Sequence, residues 1–276
     1  MTGALLRRGG TFDFVRDGRF NISTRLAEGG RGMELSELVE FGDTLYAFDD
    51  RTGVGYAVDV GARTAVPRVV LTEGDGTVGK GMKAEWAAVA GGTLWVGSIG
   101  KPYTTPQGGF LHNRTLWVKA VGPGGVVAAD WSRVYEGVLG ALGIAAPGYA
   151  IHEAVTYAPV RGAWVFAPRK CSGEAYDDVL DERRGCGAFV VTRDLVSFRA
   201  VADPQHNATR GFSSIKAVPH DDGTLVYLKT VEVGDTTETY IGAVTIDGRV
   251  VMREQLVDTD KYEGLEFLPL DAPTSG

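Results

Sequence analysis

The stretch EWAAVAGGTLWVGSIG, residues 85–100, decides the fold. It starts on a carboxylate, runs through a short apolar strand, turns on Gly91-Gly92 and returns through a second strand rich in aromatic and branched residues. The same unit recurs as SELVEFGDTLYAFDD from Ser36, EAVTYAPVRGAWVFAPR from Glu153 and SSIKAVPHDDGTLVYLK from Ser213, and begins again at Glu263 as EGLEFLPL. Successive starts are 49, 68, 60 and 50 residues apart. That spacing is close to the roughly 40–50 residues of one four-stranded propeller blade plus variable loops.

Two more strand-like segments follow each hairpin: GVGYAVDV and AVPRVVLTE, then TLWVKAVG and GVVAADW, then GAFVVTR and VSFRAVA, then TYIGAVTI and RVVMREQL. A short helix is expected over SRVYEGVLGAL, where Tyr135, Val138, Leu139 and Leu142 fall on one face. The expected fold is all-β, a five-bladed β-propeller with four-stranded blades forming one domain over residues 1–276. Its blades span 36–73, 85–131, 153–203 and 213–257. The closing blade is shared by both chain ends and incomplete, with 263–270 as inner strand and 1–27 supplying the outer strands TFDFVRDG and RFNISTRL. A β-sandwich uses the same kind of strands but gives no reason for five matched polar starts.

Composition narrows the function. The chain is 44% hydrophobic and 23% charged, with 39 glycines against 11 prolines, as expected for a globular protein with many tight turns. A net charge of −7 argues against nucleic acid as partner, because phosphate-backbone binding draws on clustered Lys and Arg. No run reaches membrane-spanning length, and the N-terminus lacks the apolar centre of a signal peptide. Three sequons, at Asn21, Asn113 and Asn207, lean towards a secretory compartment and a glycoprotein. Cys171 and Cys186 bracket a polar loop and form either a disulfide or two separate thiols. The four histidines show no metal-binding spacing. GDGTVGK, residues 74–80, is a phosphate-binding P-loop lacking its last letter: Gly81 stands where Ser or Thr would hold Mg²⁺, and strand formers follow where a helix is needed. It reads as a flexible turn.

In a propeller the first strand of each blade lines the central channel, so Ser36, Glu85, Glu153, Ser213 and Glu263 converge on the axis. Carboxylates gathered in a narrow ring repel one another and resist ionisation unless a cation sits between them. Donors that are all oxygen, with no His or Cys, select a hard ion, and a roomy ring suits Ca²⁺ better than Mg²⁺. The competing reading is of solvated polar residues at strand starts.

GRGMELSELVEF, LYAFDDRTGVGY, EGDGTVGKGMKAEW, PGYAIHEAV, GFSSIKAV and KYEGLEF resemble the soluble calcium-activated nucleotidase (apyrase) family, over about residues 28–268. That family includes apyrases of arthropod saliva and vertebrate nucleoside diphosphatases of the endoplasmic reticulum and Golgi. The resemblance implies a five-bladed propeller with Ca²⁺ in the central tunnel, and it carries the metal ligands onto Ser36, Glu85, Glu153, Ser213 and Glu263. It implies calcium-dependent hydrolysis of nucleoside diphosphates (UDP, GDP or ADP), with triphosphates as lesser substrates, in the endoplasmic reticulum or Golgi lumen or outside the cell. A homodimer is compatible with it. A carboxylate that orients or deprotonates the attacking water is expected at Asp50 or Glu37, although relatives commonly carry Asp after the serine. Arg51 and Arg169 are the expected phosphate contacts, because a guanidinium fork matches phosphate oxygens; the alternative for each is an ion pair with a neighbouring carboxylate. Trp86 is either a stacking surface for the base or a core residue, and Asp50 either a wall of the site or a turn residue.

One departure qualifies the resemblance. Family members carry, ahead of where this sequence starts, a strand ending in acidic residues that completes the last blade and supplies an aspartate for catalysis. Residues 1–27 hold no counterpart, since Asp13 and Asp17 fall on the expected outer strands. The alternative function is therefore a propeller that binds calcium and nucleotide with little turnover. A third reading is a Ca²⁺ propeller acting on lactones or esters.

Overall fold

The computed structural model describes residues 1–221 and 223–268. The chain opens with a two-stranded ribbon, β1 (Thr2–Arg8) and β2 (Thr11–Gly18). The first blade follows as a meander of β3 (Leu35–Phe41), β4 (Thr44–Asp49), β5 (Val54–Asp59) and β6 (Thr64–Val70). The second uses β7 (Trp86–Ala90) and β8 (Thr93–Gly97). A small ribbon, β9 (Tyr103–Thr104) with β10 (Phe110–His112), then intervenes before β11 (Trp117–Gly122) and β12 (Gly125–Asp130) complete the sheet. Helix α1 (Ser132–Ala141) lies where the apolar face predicts it, with Tyr135 and Val138 buried. The third blade is β13 (Tyr149–Ala158), β14 (Ala163–Ser172), the short helix α2 (Asp178–Asp181), β15 (Ala188–Thr192) and β16 (Arg199–Ala202). The fourth is β17 (Arg210–Ala217), β18 (Thr224–Val233), β19 (Thr236–Thr245) and β20 (Val250–Asp258).

Turn chemistry sets the hairpins. Between β7 and β8, Gly91 and Gly92 take φ of 59° and 74°, the paired left-handed geometry whose twist matches that of the flanking strands. Apolar faces then pack blade on blade. Val39, Phe48 and Leu94 fill the space between the first and second blades, Trp86, Trp131 and Phe166 that between the second and third, and Phe189, Phe212 and Tyr227 that between the third and fourth. Neighbouring inner strands touch in order, β3 to β7, β7 to β13 and β13 to β17.

The result is a propeller-like arrangement of four four-stranded blades. The expected fifth blade is not a hydrogen-bonded sheet among the described residues: β1 and β2 pair only with each other, and residues 261–268 form no strand. Positions 269–270 of the expected inner strand lie outside the described residues. The physical reason is visible in how the backbone of 261–268 is used. It threads between β17 and β3, where side chains rather than a strand ladder satisfy it. Ser213 Oγ donates to the Tyr262 carbonyl at 3.0 Å, and the Leu265 amide donates to Ser214 Oγ at 3.0 Å. The Glu40 amide donates to Glu266 Oε2 at 3.0 Å. A Cβ on Gly264 would lie 2.7 Å from the Leu38 nitrogen, so the closest approach to β3 admits glycine alone. Tyr262, Leu265 and Phe267 share a cluster with Phe12 and the fourth-blade residues Leu228 and Ile241.

Candidate functional site

The inner strands carry a shared irregularity. Leu35 pairs with Asp49 and Glu37 with Phe48, so Ser36 is the extra residue of a bulge. Phe212 pairs with Lys229 and Ser214 with Leu228, leaving Ser213 unpaired. His152 pairs with Pro168 and Ala154 with Ala167, leaving Glu153 unpaired, while on the facing strand Arg169 is skipped. Glu85 precedes β7, and its amide donates to the Gly97 carbonyl at 2.8 Å. Four of the predicted site residues thus sit on bulges, which re-aim a side chain out of the ordinary strand alternation.

The acidic positions converge. Glu85 is 3% exposed; burial, above all, pushes its carboxyl up to about 8, with Lys83 opposing and Glu153, Asp50 and Glu263 adding like charge. Burial likewise raises Glu263, helped by Glu153 and opposed by Lys261 and Arg169. Lys83 bridges Glu85 and Asp50, at 2.7 Å from Asp50 Oδ2. Buried Arg169 pairs with Glu153 and Glu232 and lies 3.7 Å from Glu263. Lys261 pairs with Glu263 and lies 3.0 Å from Glu232. Burial works against the Lys83 ammonium, but Glu85 and Asp50 together hold it above its ordinary range.

Among the described residues no three His, Cys, Asp or Glu side chains gather closely enough to hold a metal by themselves; the carboxylates turn onto these cations instead. The donor set still fits a hard divalent ion. Among the described residues Asp50, Glu85, Glu153, Glu232 and Glu263 form ion pairs with Lys83, Arg169 and Lys261, five carboxylates against three paired cations. Asp50 Oδ1 is buried with no hydrogen-bond partner, an oxygen left over for a ligand. Ser36 and Ser213 add buried hydroxyls at the equivalent inner positions, although Ser213 spends its proton on Tyr262.

A cleft of about 470 Å³ opens beside this network. Its lining combines Lys83, Glu85, Glu153 and Arg169 with Lys101 from the second blade and Tyr176 from the α2 loop. Lys101 Nζ lies 4.3 Å over the Tyr176 ring, and burial lowers this ammonium to about 8.

Two expectations need correction. Trp86 is 0% exposed, packs at a tilt with its ring centroid 5.6 Å from that of Trp131 and donates its indole N–H to the Ser98 carbonyl at 3.1 Å, so no face is open to a base. Its side chain alternates with Glu85 and points between the blades. Glu37 is buried away from the acidic group: Ser214 Oγ donates to its Oε1 at 2.9 Å and Lys216 Nζ lies 3.6 Å from its Oε2. Burial pushes its carboxyl up to about 8, against the pull of Lys216. The bulge at Ser36 sends the next side chain to the blade interface. Arg51 sits beside Asp50 with its Nε buried and unpartnered. Sequence reading missed Lys83 and Lys261. Their signal is a repeated Lys-X-Glu, at Lys83-Ala84-Glu85 and Lys261-Tyr262-Glu263, which places cation and ligand on one side of an extended chain. Lys101 and Tyr176 come from loops with no such mark.

The GDGTVGK turn supplies no phosphate cradle. The Thr77 amide is taken by Asp75 at 3.0 Å and the Gly76 amide by the Glu73 carbonyl at 3.3 Å.

Comparison with known proteins bears on this geometry. A family model described as Apyrase matches residues 4–268. "Soluble calcium-activated nucleotidase 1" of Mus musculus is 42% identical over 252 residues, covering 90% of this chain and 62% of that protein. "Apyrase" of Cimex lectularius is 40% identical, covering 90% and 68%. "Apyrase apy-1" of Caenorhabditis elegans is 38% identical, covering 92% and 73%. The chain thus spans a little under two thirds of the length of the mouse protein it matches.

Proposed function

The chain belongs to the apyrase family, and from that premise we propose that it hydrolyses the terminal phosphoanhydride of nucleoside diphosphates such as UDP, GDP and ADP, with Ca²⁺ held at the hub. The observation that carries this reading is the convergence of Glu85, Glu153, Glu263 and Asp50 at one buried site beside a cleft. Ser36, Glu85, Glu153, Ser213 and Glu263 would hold the ion, which supplies positive charge to the diphosphate oxygens. Arg169 and Lys101 orient the phosphates, and the unpartnered Nε of Arg51 is a further donor. Asp50 Oδ1 accepts the proton of a water whose oxygen attacks the terminal phosphorus; the bond to the bridging oxygen breaks, leaving nucleoside monophosphate and inorganic phosphate.

The same premise extends the fold. We read residues 263–268 as occupying the inner position of a fifth, closing blade between the fourth and the first, supported by the seat of Gly264 against β3. The Cys171–Cys186 disulfide and the exposed Asn21, Asn113 and Asn207 support an oxidising secretory compartment. Among the described residues no helix is long and apolar enough to cross a membrane.

Phosphate release from UDP, GDP, ADP and ATP, measured with Ca²⁺ and then with a chelator, tests the reading. Calcium-stimulated release is expected with diphosphates. Glu85→Gln should weaken Ca²⁺ binding at least tenfold by calorimetry (roughly one lost charge contact) without unfolding the chain. Nucleotide binding without release favours the binding-only alternative, and unchanged Ca²⁺ affinity removes Glu85 from the ligand set.

A further inference from the structure

We propose that the Cys171–Cys186 disulfide is a positioning element for substrate: it fixes the intervening loop as one wall of the cleft, so its loss weakens binding and spares the chemical step. This rests on reading the cleft as the nucleotide site. The cysteines are 15 positions apart, and the loop between them gives Tyr176, Asp178, Asp181 and Glu182 to the cleft lining.

The loop has no core of its own. None of residues 172–184 is buried, and its two largest apolar side chains, Val179 and Leu180, are 75% and 54% exposed. Apart from the edge-on contact of Tyr176 with Tyr149, what holds it is polar. Arg184 donates to the Ala175 carbonyl at 2.9 Å and to Tyr149 Oη at 3.3 Å, and the Asp178 amide donates to the Pro106 carbonyl at 3.0 Å. Water competes for each of these bonds, so their net worth is small.

The cystine differs from them in kind. Cys186 is 1% exposed, and backbone bonds stitch both ends of the loop to β14 beside the cleft: the Cys171 amide to the Arg184 carbonyl at 2.9 Å, and the Cys186 amide to the Arg169 carbonyl at 3.2 Å. Arg169 and Lys170, next to Cys171, line the same cleft. A covalent tie at this point restricts the conformations open to the wall before ligand arrives, so less ordering entropy opposes binding. Arg169 is itself buried and is anchored by ion pairs with Glu153 and Glu232, neither of which belongs to the loop. The proposal therefore separates the wall from the reacting end.

The test is a Cys171→Ser/Cys186→Ser double variant of the full chain, assayed with Ca²⁺ below its melting temperature. KM for the best diphosphate should rise roughly tenfold through lost preorganisation, with kcat within about twofold and Ca²⁺ affinity unchanged. Opening the cystine of the folded wild-type chain with a phosphine reductant, checked by thiol titration, should raise KM in the same direction even if the double variant fails to fold. Calorimetry with a non-hydrolysable diphosphate analogue reads binding without turnover. Wild-type KM in the folded double variant, or a fall in kcat at constant KM, overturns the proposal; so does an unchanged KM in the reduced wild-type chain if the double variant does not fold. Failure of the wild-type chain to hydrolyse any nucleotide strikes the functional reading instead. The analogue then decides alone: equal affinity in wild type and variant, or no binding, overturns the proposal.

Discussion

Lys101 is a cleft cation sensitive to a change of pH. Its Nζ donates to Thr104 Oγ1 at 2.9 Å and to the Pro102 carbonyl at 3.1 Å, neither of which carries charge, and burial lowers it to about 8. The sign follows directly. Below pH 8 the folded chain keeps the ammonium and its attraction for phosphate; as pH rises through 8 that charge is lost. The unfolded chain holds the proton up to about 10.5, so between the two values folding stability rises with pH while anion binding falls. KM should increase roughly tenfold between pH 7 and 9.5, the worth of one charged hydrogen bond. Lys101→Met should show the higher KM at both. A wild-type KM that stays flat across this range removes Lys101 from the substrate contacts.

At the scale of elements, the β7–β8 hairpin seats the site through Gly97. This residue is not in a left-handed conformation; its role is space. A Cβ there would lie 1.9 Å from the Trp86 indole, and the Gly97 carbonyl accepts the Glu85 amide. Gly97→Ala should therefore cost about 2–3 kcal/mol through overpacking, seen as a lower urea midpoint at constant slope. It should also weaken Ca²⁺ binding, since displacing Trp86 displaces its neighbour. Full stability in this variant would mean that the indole can move aside freely, and that Glu85 is not held by the hairpin.

For the whole molecule, an ion at the hub would tie blades together. Ser36, Glu85, Glu153, Ser213 and Glu263 come from all four blades and from the 261–268 segment, so an ion held by them would couple every blade contact. At a hundredfold excess over Kd, a ligand specific to the folded state stabilises it by about 2.7 kcal/mol. In a chain of this size that raises Tm by roughly 5–10 °C. A calcium titration followed by calorimetric melting checks it, and a Tm unmoved by Ca²⁺ and by chelator would separate the ion from the fold.

The strands of the four complete blades, their hairpins and helix α1 were legible in one dimension, because alternation, turn glycines and the 3.6-residue period are local; β1 and the β9–β10 ribbon carried no such mark, and RFNISTRL and residues 263–268, which have the look of strands, form none. The sequence by itself also pointed to Glu85, Glu153 and Glu263 as neighbours, since equivalent starts of repeated units meet once the units stack around an axis. Tertiary structure alone decided which way each side chain faces. A single extra residue at Ser36 turns Glu37 away from the hub, and the stacking of the second and third blades closes Trp86 into a core that no local pattern specifies. The cleft wall was equally hidden: Lys101 and Tyr176 lie 75 positions apart in sequence, and only the packing of neighbouring blades brings the ammonium over the ring.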